Sequence, residues 1–141
     1  MIRIFTDGSC RANKNGGIGV LWLKDGKKVL DYSKGFKNVT NNIMELMAVY
    51  VALRSIKKEI DSLEIVSDSE YTIGVLTKNW HPKKNVNLIK KIKQQLENTQ
   101  KLVQTPIKFI HTRGHQKDNS EYTKWNNFVD SLAQNASQNG T

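Results

Sequence analysis

Cysteine is almost missing from these 141 residues: Cys10 stands alone, so no internal disulfide can form, and no CxxC or Cys/His group has the spacing of a zinc site. Stability must come from burial, and a chain of this length hides about two-thirds of its surface on folding. A reducing, cytoplasmic setting is the expectation. Long hydrophobic runs are missing too. No stretch approaches the roughly 18 apolar residues of a membrane span. The opening "MIRIFTDGSC" enters a strand pattern at once, with no charged leader or apolar signal core, which favours a freestanding protein away from membranes. No internal repeat, low-complexity block or linker divides the chain, so one domain is expected over residues 1–141. Acids are the scarcer charge, 13 against 22 Lys and Arg, leaving a net charge of +9 and a pI near 9.7. That excess points to a polyanionic partner such as nucleic acid, although a lysine-rich soluble surface gives the same composition.

Periodicity supplies the elements. "IRIFT" at 2–6 alternates and runs into Asp7; "IGVLWLK" at 18–24 and "KKVLDYSKGF" at 27–36 follow, joined by the tight-turn pair Asp25-Gly26. A helix is expected from about 40 to 58, then a strand "LEIVSD" at 63–68 and a helix over about 69–77. Only two prolines occur, and both fall between periodic stretches: Pro82 breaks the chain before "VNLIKKIKQQLENTQKLV", and Pro106 precedes the strand "IKFIHT". In that long helix Leu88, Ile92 and Leu96 mark the packing stripe. A polar loop over about 113–123 leads to a last helix with Trp125, Phe128, Leu132 and Ala136 on one side. Strands first antiparallel and later connected through helices imply one mixed α/β sheet.

Among these elements Glu45 is out of place. In "TNNIMELMAVYVAL" it shares its helical stripe with Ala48, Val49, Ala52 and Ile56, where a lone carboxylate is costly. One reading makes it the third member of a capping box in the first turn, with Asn42 as the cap. The other gives it company. Asp7 ends one strand and Asp68 another, so both can reach the same sheet edge, although each alone also suits a turn or cap. Three carboxylates in one place repel unless divalent cations lie between them, and Mg²⁺ prefers such oxygen ligands. Paired ions can activate water in phosphodiester cleavage, so a basic chain with this cluster suggests a nuclease.

The segments "FTDGSC" at 5–10, "TNNIMELMAVYVAL" at 40–53, "VSDSEY" at 66–71 and "TRGH" at 112–115 followed by "NNFVDSLA" at 126–133 together resemble type 1 ribonuclease H, in order over nearly the whole chain. The resemblance implies an α/β ribonuclease H-like fold: a five-stranded mixed sheet, three strands antiparallel and then two parallel, flanked by helices. It implies an endoribonuclease that cuts the RNA strand of RNA–DNA hybrids with two Mg²⁺ ions, or Mn²⁺, leaving 5′-phosphate and 3′-hydroxyl ends. Asp7, Glu45, Asp68 and Asp130 match the family's metal-binding carboxylates, and His115 its mobile histidine, which assists proton transfer or product departure. Read from its own helix, Asp130 lies on a solvated polar face and His115 in an ordinary surface loop. Asn13, Thr40, Asn41 and Asn42 match positions that touch the hybrid, and Asn85 resembles a phosphate-binding asparagine; turn and capping chemistry is the alternative for each.

The chain also departs from the family. Where many members carry a basic, tryptophan-bearing protrusion, only "LTKNWHPKKN" is present, leaving Trp80, Lys83 and Lys84 to grip the substrate. Glu70 replaces a minor-groove glutamine, Asn127 replaces a common glutamate, and the loop after His115 is longer than usual. A hybrid-binding module with weak catalysis and a domain derived from a reverse transcriptase are the alternatives. A monomer with no obligate protein partner is expected.

Overall fold

The computed structural model describes residues 1–78, 80–112 and 120–139. The early alternation builds β1 (Ile2–Cys10), β2 (Gly16–Lys24) and β3 (Lys27–Phe36). Asp25 and Gly26 close the β2–β3 hairpin with positive φ angles of 51° and 83°, as the dipeptide requires. There follow α1 (Asn41–Arg54), β4 (Leu63–Ser67), α2 (Glu70–Thr77), α3 (Val86–Gln100), β5 (Lys108–His111) and α4 (Glu121–Asn139). Strand order is β3-β2-β1-β4-β5, antiparallel as far as β1 and parallel from β1 to β5, so the expected five-stranded mixed sheet is present. Among the described residues no helix is long and apolar enough to cross a membrane.

Strand alternation divides the interior in two. On one face Ile4, Ile18, Val20 and Ile65 pack with Ala48, Val49 and Leu53 of α1 and Ile92 of α3. On the other, Phe5, Leu21, Leu23 and Val66 meet Val129 of α4.

Several boundaries differ from the periodic reading. β1 does not stop at Asp7: β2 keeps pairing with it through Cys10↔Gly16, whereas β4 stops at Thr6↔Ser67. Asp7 therefore stands where the sheet splits between β1 and β4. α1 ends at Arg54 rather than near 58, where the Ser55 hydroxyl donates to the Ala52 carbonyl at 2.5 Å. α3 ends at Gln100, since Val103 goes on to bridge to Ile60, and its most buried residues are Ile89, Ile92 and Thr99, with Leu88 and Leu96 at the margin.

The largest correction concerns α4. Its buried line is Val129, Ala133 and Ser137, while Trp125, Phe128, Leu132 and Ala136 are only half-buried. The cause lies on β2. A Cβ at Gly19 would collide with the Val129 carbonyl, and one at Gly17 with the Ala133 carbonyl and the Ser137 amide. Small residues on both elements let the helix backbone rest on the strand. On the opposite face a Cβ at Gly8 would strike the backbone of Met44 and Glu45. We therefore expect Gly19→Ala to destabilise the fold by about 1–3 kcal/mol in urea unfolding, through overpacking. Gly26→Asn, at an open position whose positive φ asparagine tolerates, should shift stability by less than about 0.5 kcal/mol.

Candidate active site

Where β1 and β4 part, three chain segments deliver carboxylates. Asp7 comes from β1, Asp68 from the residue after β4, and Glu45 from the second turn of α1; one oxygen of each lies within 4.8 Å of the others. Asp7 and Glu45 are 4% and 6% exposed, and Asp68 is half-buried. Glu45 reaches Asp7 because Gly8 lets α1 close on the strand. The Gly8 amide donates both to Asp7 Oδ1, at 2.9 Å, and to Glu45 Oε1.

The capping-box reading of Glu45 is overturned. Thr40 is the N-cap, extended at φ −116° and ψ 165°, with its Oγ1 accepting from the Ile43 amide at 3.2 Å. Asn42 is already inside the helix, and the Glu45 carboxylate is turned to Gly8, not back to the cap. Asp130 is half-buried rather than on an open polar face, and it is the least of the neighbours that raise the Asp7 carboxyl. Its place follows from Gly19, which pairs directly with Asp7 and carries the Val129 backbone on the same face. Gln134 Nε2 steadies it, donating to Asp130 Oδ2 at 3.0 Å. His115 lies outside the described residues.

Burial pushes the Asp7 carboxyl far above the ordinary range, and the negative charges of Glu45 and Asp68 push it further. Glu45 is raised as well, chiefly by burial and also by the charge of Asp68, with hydrogen bonding to Asp7 and to the Gly8 amide pulling the other way. Asp7 Oδ2 is buried with no hydrogen-bond donor among the described residues. An unbonded, buried carboxylate oxygen between two further carboxylates fits a hard divalent cation, which would supply the missing positive charge. The residues suit such an ion: Asp7, Glu45 and Asp68 form the nearest set, and Asp130 stands beside Asp7.

The residues expected to contact substrate separate into groups. Thr40, Asn42, Lys84 and Asn85 line one cavity of about 380 Å³ together with Tyr71 and Lys83. Asn85 adopts a left-handed conformation, φ 60°, and its Nδ2 is 3.4 Å from the Tyr71 hydroxyl. Asn41 is the exposed first residue of α1. Asn13 is in the β1–β2 turn, where its Oδ1 accepts from the Asn15 amide at 3.0 Å. Glu70 opens α2 and lines a separate cavity with Lys78 and His111. Tyr71, Gly8 and Gly19 escaped the reading of the sequence. The alternating glycines of "GGIG" inside a strand were the available signal for a close backbone approach.

Comparison with known proteins gives a consistent picture. The sequence model of the RNase H family matches residues 1–138. A protein named ribonuclease H from Clostridium botulinum is 36% identical over 151 residues, spanning 94% of this chain and 93% of its own. Among solved structures, RNase H1 from Halobacterium salinarum matches with a TM-score of 0.75 at 20% identity, covering 98% of each chain. LC11-RNase H1, solved in complex with an RNA/DNA hybrid, matches at 0.74 and 21% identity over 99% of this chain and 98% of its own. The two structural likenesses show a shared fold.

A carboxyl whose folded-state pKa is raised is stabilising while protonated and loses that contribution as pH climbs. In EDTA the protein should therefore lose stability from about pH 4 toward pH 8. Asp7→Asn should melt about 3–8 °C higher than the unaltered chain at pH 7–8, and the gap should shrink as pH falls toward 4. Millimolar Mg²⁺ should raise the melting temperature of the unaltered chain and leave Asp7→Asn nearly unmoved, as read by differential scanning fluorimetry.

Proposed function

The chain belongs to the RNase H family, and from that membership we propose that it is an endonuclease for the RNA strand of RNA–DNA hybrids, using two Mg²⁺ ions, or Mn²⁺, and leaving 5′-phosphate and 3′-hydroxyl ends. The observation that carries this reading is the cluster of buried Asp7 and Glu45 with half-buried Asp68 at the split in the sheet. Divalent cations held there would supply the polarisation of an attacking water and the stabilisation of the departing oxygen. Asp7, which lies nearest to the other carboxylates, would be shared by both ions. Glu45 and Asp68 would each serve one ion, and Asp130, from α4, would help hold the ion that activates water. His115 assists proton transfer or product departure.

Substrate holding falls to the chain's own polar surface. The cavity formed by Thr40, Asn42, Lys84 and Asn85 has the size and the hydroxyl, amide and ammonium donors to seat a backbone phosphate. Asn13 and Asn41 offer small amides to the minor groove, where the 2′-hydroxyl distinguishes the RNA strand. Glu70, which lines a separate cavity with Lys78 and His111, stands where the family's glutamine reads the minor groove and is taken as a further substrate contact. The relative solved with an RNA/DNA hybrid supports this substrate class through the shared fold. The proposal takes the protein as a monomer, one domain over 1–141, working in a reducing, cytoplasmic setting, which the single cysteine favours.

A strand-labelled hybrid run on a gel with and without Mg²⁺, beside RNA and DNA duplex controls, tests the reaction. We expect cuts in the RNA strand of the hybrid only, and only with metal. Asp7→Asn and Asp68→Asn should each lose at least about 1000-fold in rate with the fold intact by circular dichroism. Full activity in either would sink the assignment. Lys84→Ala should raise KM with kcat little changed, and should flatten the dependence of log K on log salt by about one unit.

A further inference from the structure

The turn between β1 and β2 closes on its own backbone: the Arg11 amide donates to the Asn15 carbonyl and the Lys14 amide to the Arg11 carbonyl, both at 2.8 Å. Asn13, assigned above to the minor groove, stands inside it. The Arg11 side chain leaves the turn and crosses to α4. Its Nε donates to Ser137 Oγ at 3.0 Å and its Nη2 to the Gln134 carbonyl at 3.4 Å. Ser137 is fully buried and donates its own hydroxyl proton to the same carbonyl at 2.6 Å. The Gln134 side chain runs one turn back along the helix, where Nε2 donates to Asp130 Oδ2 at 3.0 Å. One arginine therefore joins a turn that faces substrate to the stretch of α4 that steadies a carboxylate.

Neither an ion pair nor the helix end accounts for this contact. Arg11 has no carboxylate partner among the described residues. Because α4 continues to Asn139, the Gln134 carbonyl is not among the four unsatisfied carbonyls at its end, and the pull of the helix dipole fades beyond the last turn. What the guanidinium supplies is its fork, with two donors at fixed spacing meeting two acceptors one turn apart. The carboxylates also differ in how they are held. Asp7 and Glu45 accept from the Gly8 amide, whereas Asp130 accepts from Gln134, a side chain exposed to solvent. We propose that Arg11 is a positioning residue, coupling the seating of the hybrid on the β1–β2 turn to the placement of Asp130 and so to retention of the ion that Asp130 helps hold. The inference rests on the function proposed above. Hybrid on the turn would fix Arg11, Arg11 would fix the Gln134–Ser137 stretch of α4, and Gln134 would keep the Asp130 carboxylate in place. By linkage, the ion would in turn favour the seated hybrid.

The test compares Arg11→Ala, Arg11→Lys, Gln134→Leu and the double variant Arg11→Ala with Gln134→Leu, all at exposed positions, with the unaltered chain. Each should need at least about fivefold more Mg²⁺ for half-maximal cleavage of the hybrid, with the rate at saturating Mg²⁺ within about twofold of the original. Lysine keeps the charge but not the fork, so Arg11→Lys should behave as Arg11→Ala does. The double variant should need no more than about twice the Mg²⁺ of the worse single variant, since the two residues act in series. Anisotropy of a labelled hybrid in EDTA reads the other end without catalysis. There Arg11→Ala should bind about three- to tenfold more weakly, and Gln134→Leu, which leaves the turn and the α4 backbone untouched, as tightly as the original. An unmoved Mg²⁺ requirement in Arg11→Ala or in Gln134→Leu overturns the proposal, as does a double variant whose effects multiply. A salt dependence of hybrid binding flattened by about one unit in Arg11→Ala overturns it in favour of a direct phosphate contact. No cleavage by the unaltered chain fails the functional reading and this one with it; failure of the coupling alone leaves Mg²⁺-dependent cleavage intact.

Discussion

At residues 7 and 8 the strand β1 is pinched between two helices. From one face α1 presses its Met44–Glu45 backbone onto Gly8; from the other α4 lays its Val129 carbonyl over Gly19, the cross-strand partner of Asp7. Each approach needs a residue without a side chain, because a Cβ at either glycine would overlap backbone that cannot move aside cheaply. Glu45 and Asp130 come to Asp7 only through this double contact. The Gly8 amide donates to both Asp7 and Glu45.

The cluster so formed opposes the fold that holds it. Burial raises both Asp7 and Glu45 above the ordinary carboxylate range, with the charges of Glu45 and Asp68 adding to it at Asp7 and that of Asp68 at Glu45, a cost the chain sustains only because the surrounding packing offsets it. That packing is two-sided. Ile4, Ile18 and Ile65 are fully buried beneath α1, and Phe5 and Leu21 beneath Val129 of α4, so neither helix can withdraw without opening a core. Strained electrostatics set in a well-packed frame favour a bound cation, which relieves the repulsion and stabilises the folded state at once. Metal binding and catalysis then draw on the same local imbalance.

Much of this is legible in the amino-acid sequence. The order of strands and helices followed from periods of two and 3.6, and the Asp25-Gly26 turn from the positive φ that both residues adopt. Glu45 stood out because a carboxylate on an apolar stripe needs a partner, and it lies buried among Met44, Ala48, Val49 and Ala52 as that stripe implied. Less legible were features fixed by neighbours. Asn42 and Thr40 can both cap a helix, asparagine being the more favoured type, and the extended backbone at Thr40 decides between them. The polar face that local periodicity gives Asp130 is half-buried instead, because the large side chains of α4 suggest a buried line the helix does not use. The helix turns its small residues to the sheet instead, where the β2 glycines leave no room for larger ones.

By itself the sequence determined the mixed α/β topology, the basic surface and the set of carboxylates available for chemistry, since these depend on residue type and short-range spacing alone. The tertiary structure decided which of the acids meet and how. β4 stops pairing at Ser67 while β2 continues to Gly16, and that mismatch opens the sheet beside Asp7. Glycine at positions 8 and 19 then sets how near two helices can stand. Local propensity is blind to both, because the distance between Asp7 and Glu45, 38 positions apart in the chain by numbering, is set by what their neighbours lack.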